Sequence, residues 1–118
     1  MIKPVGPYSP ILRTGRWLVS SGQVGLRDGV MVEGGVREQT VQALANLREL
    51  VEGEGASLSD VVKTTVFLTA MDDFAAMNEE YAAAFGDHRP ARSTVGVAAL
   101  PLGAVVEVEA WARLPREG

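Results

Sequence analysis

Two glutamates near the C-terminal end of the chain are candidates for acid–base chemistry. Glu107 and Glu109 stand two positions apart within a run of apolar residues. In a β-strand this alternation places both carboxylates on one face and the apolar side chains on the other. Either carboxylate could exchange a proton with a ligand if it points into a cleft. The simpler interpretation of the pattern is a solvated strand face.

Arg92 is a candidate for binding an anionic ligand. It follows Pro90 and Ala91 where a loop enters an apolar stretch, a position that suits a guanidinium aimed into a pocket. The planar guanidinium can bind a carboxylate through two parallel hydrogen bonds, so an arginine here could hold a small organic acid. An exposed arginine in a surface salt bridge is the alternative interpretation.

Three other residues, Asn78, Tyr8 and Gly22, could contact a ligand or serve a structural role. Asn78 lies on the apolar side of a predicted helix, where its amide needs a partner that a structural bond to a loop would supply. Tyr8 lies in a rigid, proline-flanked run and could be a surface anchor. Gly22 ends a predicted strand, which permits close approach of a ligand or simply a bend. The apolar side of the helix is formed by Phe74, Met77, Tyr81 and Phe85.

Composition restricts the chemistry further. The 118 residues include no cysteine and only one histidine, which excludes thiolate nucleophiles, disulfides, and zinc-thiolate or multi-histidine metal sites. That histidine, His88, lies in a charged loop, where we expect it to be exposed. The net charge of −4 is opposite in sign to the basic surface of nucleic-acid-binding proteins.

Hydropathy argues against a membrane or a secreted location. No apolar run approaches the ~20 residues of a membrane span. The first residues also lack the apolar stretch of a signal peptide. We therefore expect a cytoplasmic protein that does not bind membranes or nucleic acid.

The elements that must hold these side chains follow from turn signals and periodicity. Apolar stretches at 10–12 and 17–19 flank Thr14-Gly15, which predicts a hairpin. The glycine-rich stretch 22–35 contains Asp28-Gly29, typical of a second tight hairpin or a loop.

Two helices alternate with three further strands in the rest of the chain. Apolar residues at helical spacing predict one helix over 36–54 and a second from Asp72 to Phe85. Between them the β-branched run 61–69 predicts a strand buried on both sides. Strands are also predicted over 92–98 and 105–113.

This order of elements predicts a single α+β domain over residues 1–118. A sheet of five or six strands would carry both helices on one face. The other face would then be uncovered, although one of its strands has apolar side chains for both faces. We therefore expect another subunit to cover it.

Taken together, the segments resemble the reactive intermediate deaminase family, also called RidA or YjgF-type proteins, over nearly the whole chain. The most specific match is the run from Pro90 to Pro101 followed by the run from Val106 to Ala110, which is similar to the family's C-terminal signature. Further blocks match in order at 6–9, 21–23, Gln39-Thr40 with Asn46-Leu47, and 62–68.

The resemblance implies a chorismate-mutase-like fold with a mixed sheet, assembled as a homotrimer with a cleft between each pair of subunits. It also implies hydrolysis of enamine and imine acids, such as 2-aminoacrylate and 2-iminobutyrate, to 2-keto acids and ammonia without a cofactor or metal. Arg92 matches the arginine that binds the substrate carboxylate, and Glu107 matches the glutamate that positions water. The other matching cleft positions are Tyr8, Gly22, Asn78 and the backbone of Thr94.

Two other functions stay open at this point. The same cleft could bind keto acids or related metabolites and regulate a partner protein without turnover. A ribonuclease or translation inhibitor is the third candidate, and the negative charge and single histidine count against it because RNA cleavage needs phosphate contacts and an acid–base pair.

Overall fold

The computed structural model describes residues 2–116, which form seven strands and two α-helices. Short 3₁₀ turns connect several of these elements. In chain order the elements are β1 (Ile11–Thr14), β2 (Trp17–Ser20), β3 (Leu26–Arg27), β4 (Val30–Met31), α1 (Val36–Gly53), β5 (Val61–Leu68), α2 (Phe74–Phe85), β6 (Ala91–Gly96) and β7 (Val106–Arg113).

Five of the strands form one mixed sheet in the order β1-β2-β7-β5-β6. Strand β6 lies at one edge and runs parallel to β5, and the other neighbouring pairs are antiparallel. The C-terminal strand β7 is therefore the central strand, although it is the last one in the sequence. The predicted α+β fold with a five-stranded mixed sheet is confirmed.

Both predicted hairpins form, and their turns have the expected backbone. Thr14 pairs with Trp17 across the first turn, in which Gly15 has a φ of 61°. Strands β3 and β4 form a separate two-stranded sheet, and Asp28 and Gly29 between them have φ values of 53° and 81°. Two successive residues with positive φ are typical of the type I′ turn that an Asp-Gly pair favours.

The core lies between the helices and one face of the main sheet. Leu44, Leu47 and Val51 of α1 are buried there, as the helical spacing predicts. Val41 is exposed, because the buried side of α1 runs through Thr40 and Ala43 instead. The sheet contributes Leu18, Val61, Val66, Leu68, Val106, Val108, Ala110 and Ala112 to this core.

The opposite face of the main sheet, which we call the open face, has no layer over it in residues 2–116. Its tryptophans, Trp17 and Trp111, are 37% and 45% exposed and lie edge to face, with ring centroids 6.2 Å apart. On β5 this face carries Lys63, Thr65 and Phe67, which are only half-buried. One face of β5 is buried as predicted, and burial of the other face by a second subunit stays a prediction.

His88 is also placed differently from the prediction. It is half-buried, and its Nε2 lies 2.6 Å from the carbonyl oxygen of Val61 at the start of β5. Its ring also lies near that of Phe85. The residue therefore fastens the loop after α2 to the sheet, which its charged sequence neighbours did not indicate.

Candidate functional site

Arg92 lies on β6 and faces the helix layer. It pairs with Thr64 of the parallel strand β5, so both side chains are on the same face of the sheet. The half-buried guanidinium donates a hydrogen bond from Nη2 to Oδ1 of Asn78 on α2, with a length of 2.7 Å. Asn78 therefore bonds the arginine and not a loop.

Two aromatic rings of α2 also contact this guanidinium. Its central carbon is 4.7 Å from the ring centroid of Tyr81 and 5.6 Å from that of Phe74, both within the range of a cation–π interaction. The Tyr81 hydroxyl shares a 2.7 Å hydrogen bond with the Thr64 hydroxyl, and both residues are buried. Burial raises the pKa of Tyr81, while the Thr64 bond and the Arg92 charge oppose the rise.

The remaining guanidinium donors of Arg92 are available to a ligand. Within the described chain, Nη1 and Nε make no hydrogen bond, and no carboxylate lies at salt-bridge distance from the side chain. Asn78 accepts one of the two N–H groups of Nη2, so the second can act with Nε or Nη1 to bind an external carboxylate through two parallel hydrogen bonds.

Thr94 completes this group. It lies two residues beyond Arg92 on the same strand, opposite Val66, and is half-buried on the same face. Because β6 is an edge strand, part of its backbone has no partner strand within residues 2–116 and could bond a ligand. We call Asn78, Arg92 and Thr94 the arginine half-site.

Glu107 lies on the other face of the sheet. It is on β7 opposite Phe67, between the buried side chains of Val106 and Val108, and therefore points to the open face. Burial raises the pKa of Glu107, and the negative charge of Glu109 on the same face adds to the rise. A half-buried carboxyl whose pKa is shifted toward neutrality is suited to proton transfer.

Gly22 packs directly against this glutamate. A Cβ on Gly22 would collide with the Glu107 carboxylate, including Oε1, so the glycine provides the space in which the carboxylate lies. Gly22 and Tyr8 also line one cavity of about 560 Å³, which lies between the N-terminal segment, the β3–β4 hairpin and α1. The Tyr8 ring is exposed, and its hydroxyl accepts a 3.3 Å bond from the amide of Val5. We call Tyr8, Gly22 and Glu107 the glutamate half-site.

The two half-sites do not meet within one chain. Arg92 and Glu107 lie on opposite faces of the sheet and are two strands apart. Their register also differs by three residues, because Arg92 lies beside Thr64 and Glu107 beside Phe67. These offsets correspond to roughly 10 Å across the sheet and roughly 10 Å along it. One ligand of a few atoms cannot touch both side chains of the same chain.

Phe74, Tyr81 and Thr64 belong to the surroundings of Arg92 but were not among the predicted site residues. The sequence pattern assigns Phe74 and Tyr81 to an apolar stripe, which describes Tyr81 but not the 40%-exposed Phe74. Phe74 lies four residues before Asn78 and Tyr81 three residues after it, and these spacings place all three side chains on one helix face. This spacing is the sequence signal that could have identified the two aromatic residues.

The described residues show neither a metal cluster nor a membrane span. Residues 2–116 contain no group of three or more His, Asp or Glu side chains that could hold a metal ion. No helix in that range is long and apolar enough to cross a bilayer.

Comparison with known proteins gives consistent matches over nearly the full length. The family model described as Endoribonuclease L-PSP matches residues 1–114. A Mus musculus protein named 2-iminobutanoate/2-iminopropanoate deaminase is 47% identical over 110 residues, covering 92% of this chain and 82% of its own.

Solved structures match the fold equally well. RidA from an Antarctic Psychrobacter species has a TM-score of 0.90 at 40% identity, covering 95% of this chain and 92% of its own. E. coli TdcF, solved with bound serine, has a TM-score of 0.89 at 34% identity, covering 95% and 91% of the two chains.

Proposed function

This chain belongs to the Endoribonuclease L-PSP family, which includes the RidA and YjgF-type proteins, and on that premise we propose that it hydrolyses short 2-imino acids to 2-keto acids and ammonia. Its relatives from mouse, human and rat are named 2-iminobutanoate/2-iminopropanoate deaminase at 43–47% identity. The observation in this chain that carries the proposal is the set of unused guanidinium donors on Arg92, which suit a substrate carboxylate.

The proposed reaction needs only two functional side chains. Arg92 binds the substrate carboxylate and so fixes the neighbouring imine carbon, which is already electrophilic when the nitrogen is protonated. Glu107 orients a water molecule and accepts its proton as the oxygen attacks that carbon. The proton passes to nitrogen, and the hydroxyl of the adduct gives its remaining proton to Glu107 as the carbon–nitrogen bond breaks, which forms the carbonyl of the keto acid and releases ammonia. Water supplies the oxygen, and no step changes an oxidation state.

The two side chains would come from different subunits. Because they lie on opposite faces of the sheet in one chain, the arginine half-site of one copy must meet the glutamate half-site of another. The exposed tryptophans of the open face support such an assembly, since large apolar groups on an uncovered sheet favour burial against a second copy. We propose a homotrimer with one site at each subunit interface.

The ligand in one related structure has suitable chemistry. E. coli TdcF was solved with serine, which carries a carboxylate and a nitrogen on the adjacent carbon. A 2-imino acid has the same two groups at the same separation. An arginine that accepts the carboxylate of one would therefore accept that of the other.

Binding without turnover is the second candidate, because the same half-sites could hold a keto acid and signal to a partner.

The family model's description also names an endoribonuclease. The net charge of −4 and a histidine engaged with the Val61 carbonyl argue against RNA cleavage by this chain. The cytoplasm stays a predicted location.

Turnover of a freshly generated imino acid tests the proposal. An amino-acid oxidase would produce 2-iminobutanoate from 2-aminobutanoate, with semicarbazide present to trap the imine. We expect the protein to accelerate formation of 2-oxobutanoate and to suppress the trapped product. Binding of 2-oxobutanoate without acceleration would favour the regulatory module, and light scattering near 12.5 kDa, the mass of one chain, would contradict the trimer.

A further inference from the structure

We propose that Phe74 and Tyr81 are positioning residues that hold the Arg92 guanidinium in the plane in which it binds the substrate carboxylate. The inference rests on the proposed function, since it assumes that Arg92 binds the substrate. It assigns a role to two aromatic side chains that neither contact Glu107 nor take part in the bond from Arg92 to Asn78.

Arg92 needs such support because of its place in the fold. Its side chain has several rotatable bonds and extends from an edge strand, where it is only half-buried. The single bond to Asn78 fixes the position of Nη2 but leaves the guanidinium plane free to turn about it. An arginine that is still mobile loses side-chain entropy when it binds a ligand, which weakens binding.

The Tyr81 ring is itself fixed by the core. Tyr81 is 5% exposed, and its hydroxyl bonds the fully buried Thr64. On its other side the ring packs against Phe85, with centroids 4.7 Å apart. Thr64 also pairs with Arg92 across the sheet. Strand β5 therefore positions both the backbone of Arg92 and, through the Thr64 hydroxyl, the Tyr81 ring that contacts the guanidinium.

Core packing does not explain Phe74. It is the first residue of α2, is 40% exposed and does not belong to the buried cluster, whereas Met77, Tyr81 and Phe85 do. Phe74 is therefore more exposed than the other apolar residues of the α2 stripe. Its ring centroid lies 5.6 Å from the central carbon of the Arg92 guanidinium, within the range of a cation–π interaction.

The geometry also leaves the right donors free. An aromatic ring stacks on the face of a guanidinium, so the N–H groups at its edge stay available for hydrogen bonds. Asn78 accepts one N–H of Nη2, which leaves the second N–H of that nitrogen, and within residues 2–116 Nε and Nη1 have no partner. A carboxylate can therefore bind at the edge of the group through two parallel bonds, from Nη2 together with Nε or Nη1.

Leucine substitutions at the two aromatic positions test the inference. Phe74→Leu and Tyr81→Leu should each raise the KM for 2-iminobutanoate by about 3- to 30-fold with little change in kcat, and should weaken binding of 2-oxobutanoate in parallel. Tyr81→Phe keeps the ring and should restore KM. Val51→Ala is the control for lost core packing, since Val51 is 1% exposed and lies on α1, which makes none of the contacts with Arg92 described above. It should lower stability and leave KM unchanged.

The inference is overturned if KM and keto-acid binding in Phe74→Leu match those of the wild type. Should Tyr81→Leu fail to fold, the exposed Phe74 still decides the question. Arg92→Ala separates this failure from that of the proposed function, because it removes the cation altogether. If Arg92→Ala keeps the wild-type KM and keto-acid affinity, the arginine is not the carboxylate anchor. If it loses both while the leucine variants do not, only the positioning role is wrong.

Discussion

Glu107 and Glu109 are identical side chains on one strand face with different surroundings. Both are half-buried on the open face, as their alternation with apolar residues predicts. Only Glu107 packs against Gly22, and burial raises its pKa. Strand alternation predicts the face, and the family resemblance selects Glu107. The local pattern could not show the unusual surroundings of that carboxyl, because Gly22 reaches β7 from a distant part of the chain.

Glu107→Gln keeps the size of the side chain but removes the base. If proton transfer limits turnover, kcat for 2-iminobutanoate should fall by roughly 10²-fold or more, with little change in keto-acid binding. Glu109→Gln is the control on the same face and should stay near the wild-type kcat. Equal losses in the two variants, or a loss confined to Glu109→Gln, would show that the wrong carboxylate is assigned.

The raised pKa of Glu107 also predicts a dependence of stability on pH. The folded protein binds this proton more tightly than the unfolded chain, so ionisation of Glu107 costs stability as the pH rises from the unfolded pKa through the folded one. Glu107→Gln should therefore raise the melting temperature at neutral pH and change it little at low pH. A lower melting temperature at neutral pH would contradict this electrostatic account.

Gly22→Ala tests whether the position of the Glu107 carboxylate matters. The new methyl group would occupy the space of that carboxylate and displace it, while the backbone of Gly22 does not have the positive φ that requires glycine. We expect a fall in kcat of roughly tenfold or more, because small displacements of a catalytic group are costly. Gly53→Ala, with nothing within 4 Å of the added atom, should keep full activity. Wild-type kcat in Gly22→Ala would refute the proposed geometry.

At the level of elements, Asn46 connects α1 to the loop that leads into the β3–β4 hairpin. Its buried amide donates bonds of 3.0 and 2.9 Å to the carbonyl oxygens of Val24 and Leu26. The hairpin belongs to a separate sheet, so these bonds join it to the helical layer. The same loop lines the cavity together with Tyr8 and Gly22.

Asn46→Ala should cost about 1–3 kcal/mol of unfolding free energy, because it removes the side-chain donor of the Leu26 carbonyl and leaves the Val24 carbonyl only the Leu26 amide as donor. Urea denaturation measures the loss, and hydrogen exchange should become faster over residues 24–31 in particular. Arg48→Ala on the exposed side of the same helix should change neither. Unchanged protection of the hairpin in Asn46→Ala would show that other contacts hold it.

The elements themselves were largely predictable, because turns and helix periodicity are local properties of the sequence. Both hairpins and both helices appear close to the predicted ranges. The partner of Arg92 was not predictable in this way. It depends on the parallel pairing of β6 with β5, which places the arginine below α2 and within reach of Asn78. The expected exposure of His88 was wrong for the same kind of reason, since its partner Val61 lies 27 residues earlier.

At the level of the whole molecule, the sheet separates the two groups that the proposed reaction requires. The helices cover one face, with Arg92 at its edge, and the open face carries Glu107 together with exposed Trp17 and Trp111. In our proposal a second copy has two roles, to cover this apolar surface and to complete the site. The trimer that the sequence resemblance implies would provide both.

Mixing two inactive variants tests this account most directly. Arg92→Ala and Glu107→Gln would be unfolded together in equal amounts, refolded, and compared with each variant refolded alone, after light scattering has shown that all three samples are trimers. If each site takes its arginine and its glutamate from different subunits, every mixed trimer contains one intact site, and the mixture should recover roughly a quarter of the wild-type activity. Activity no higher than that of the separate variants would contradict a site shared between subunits.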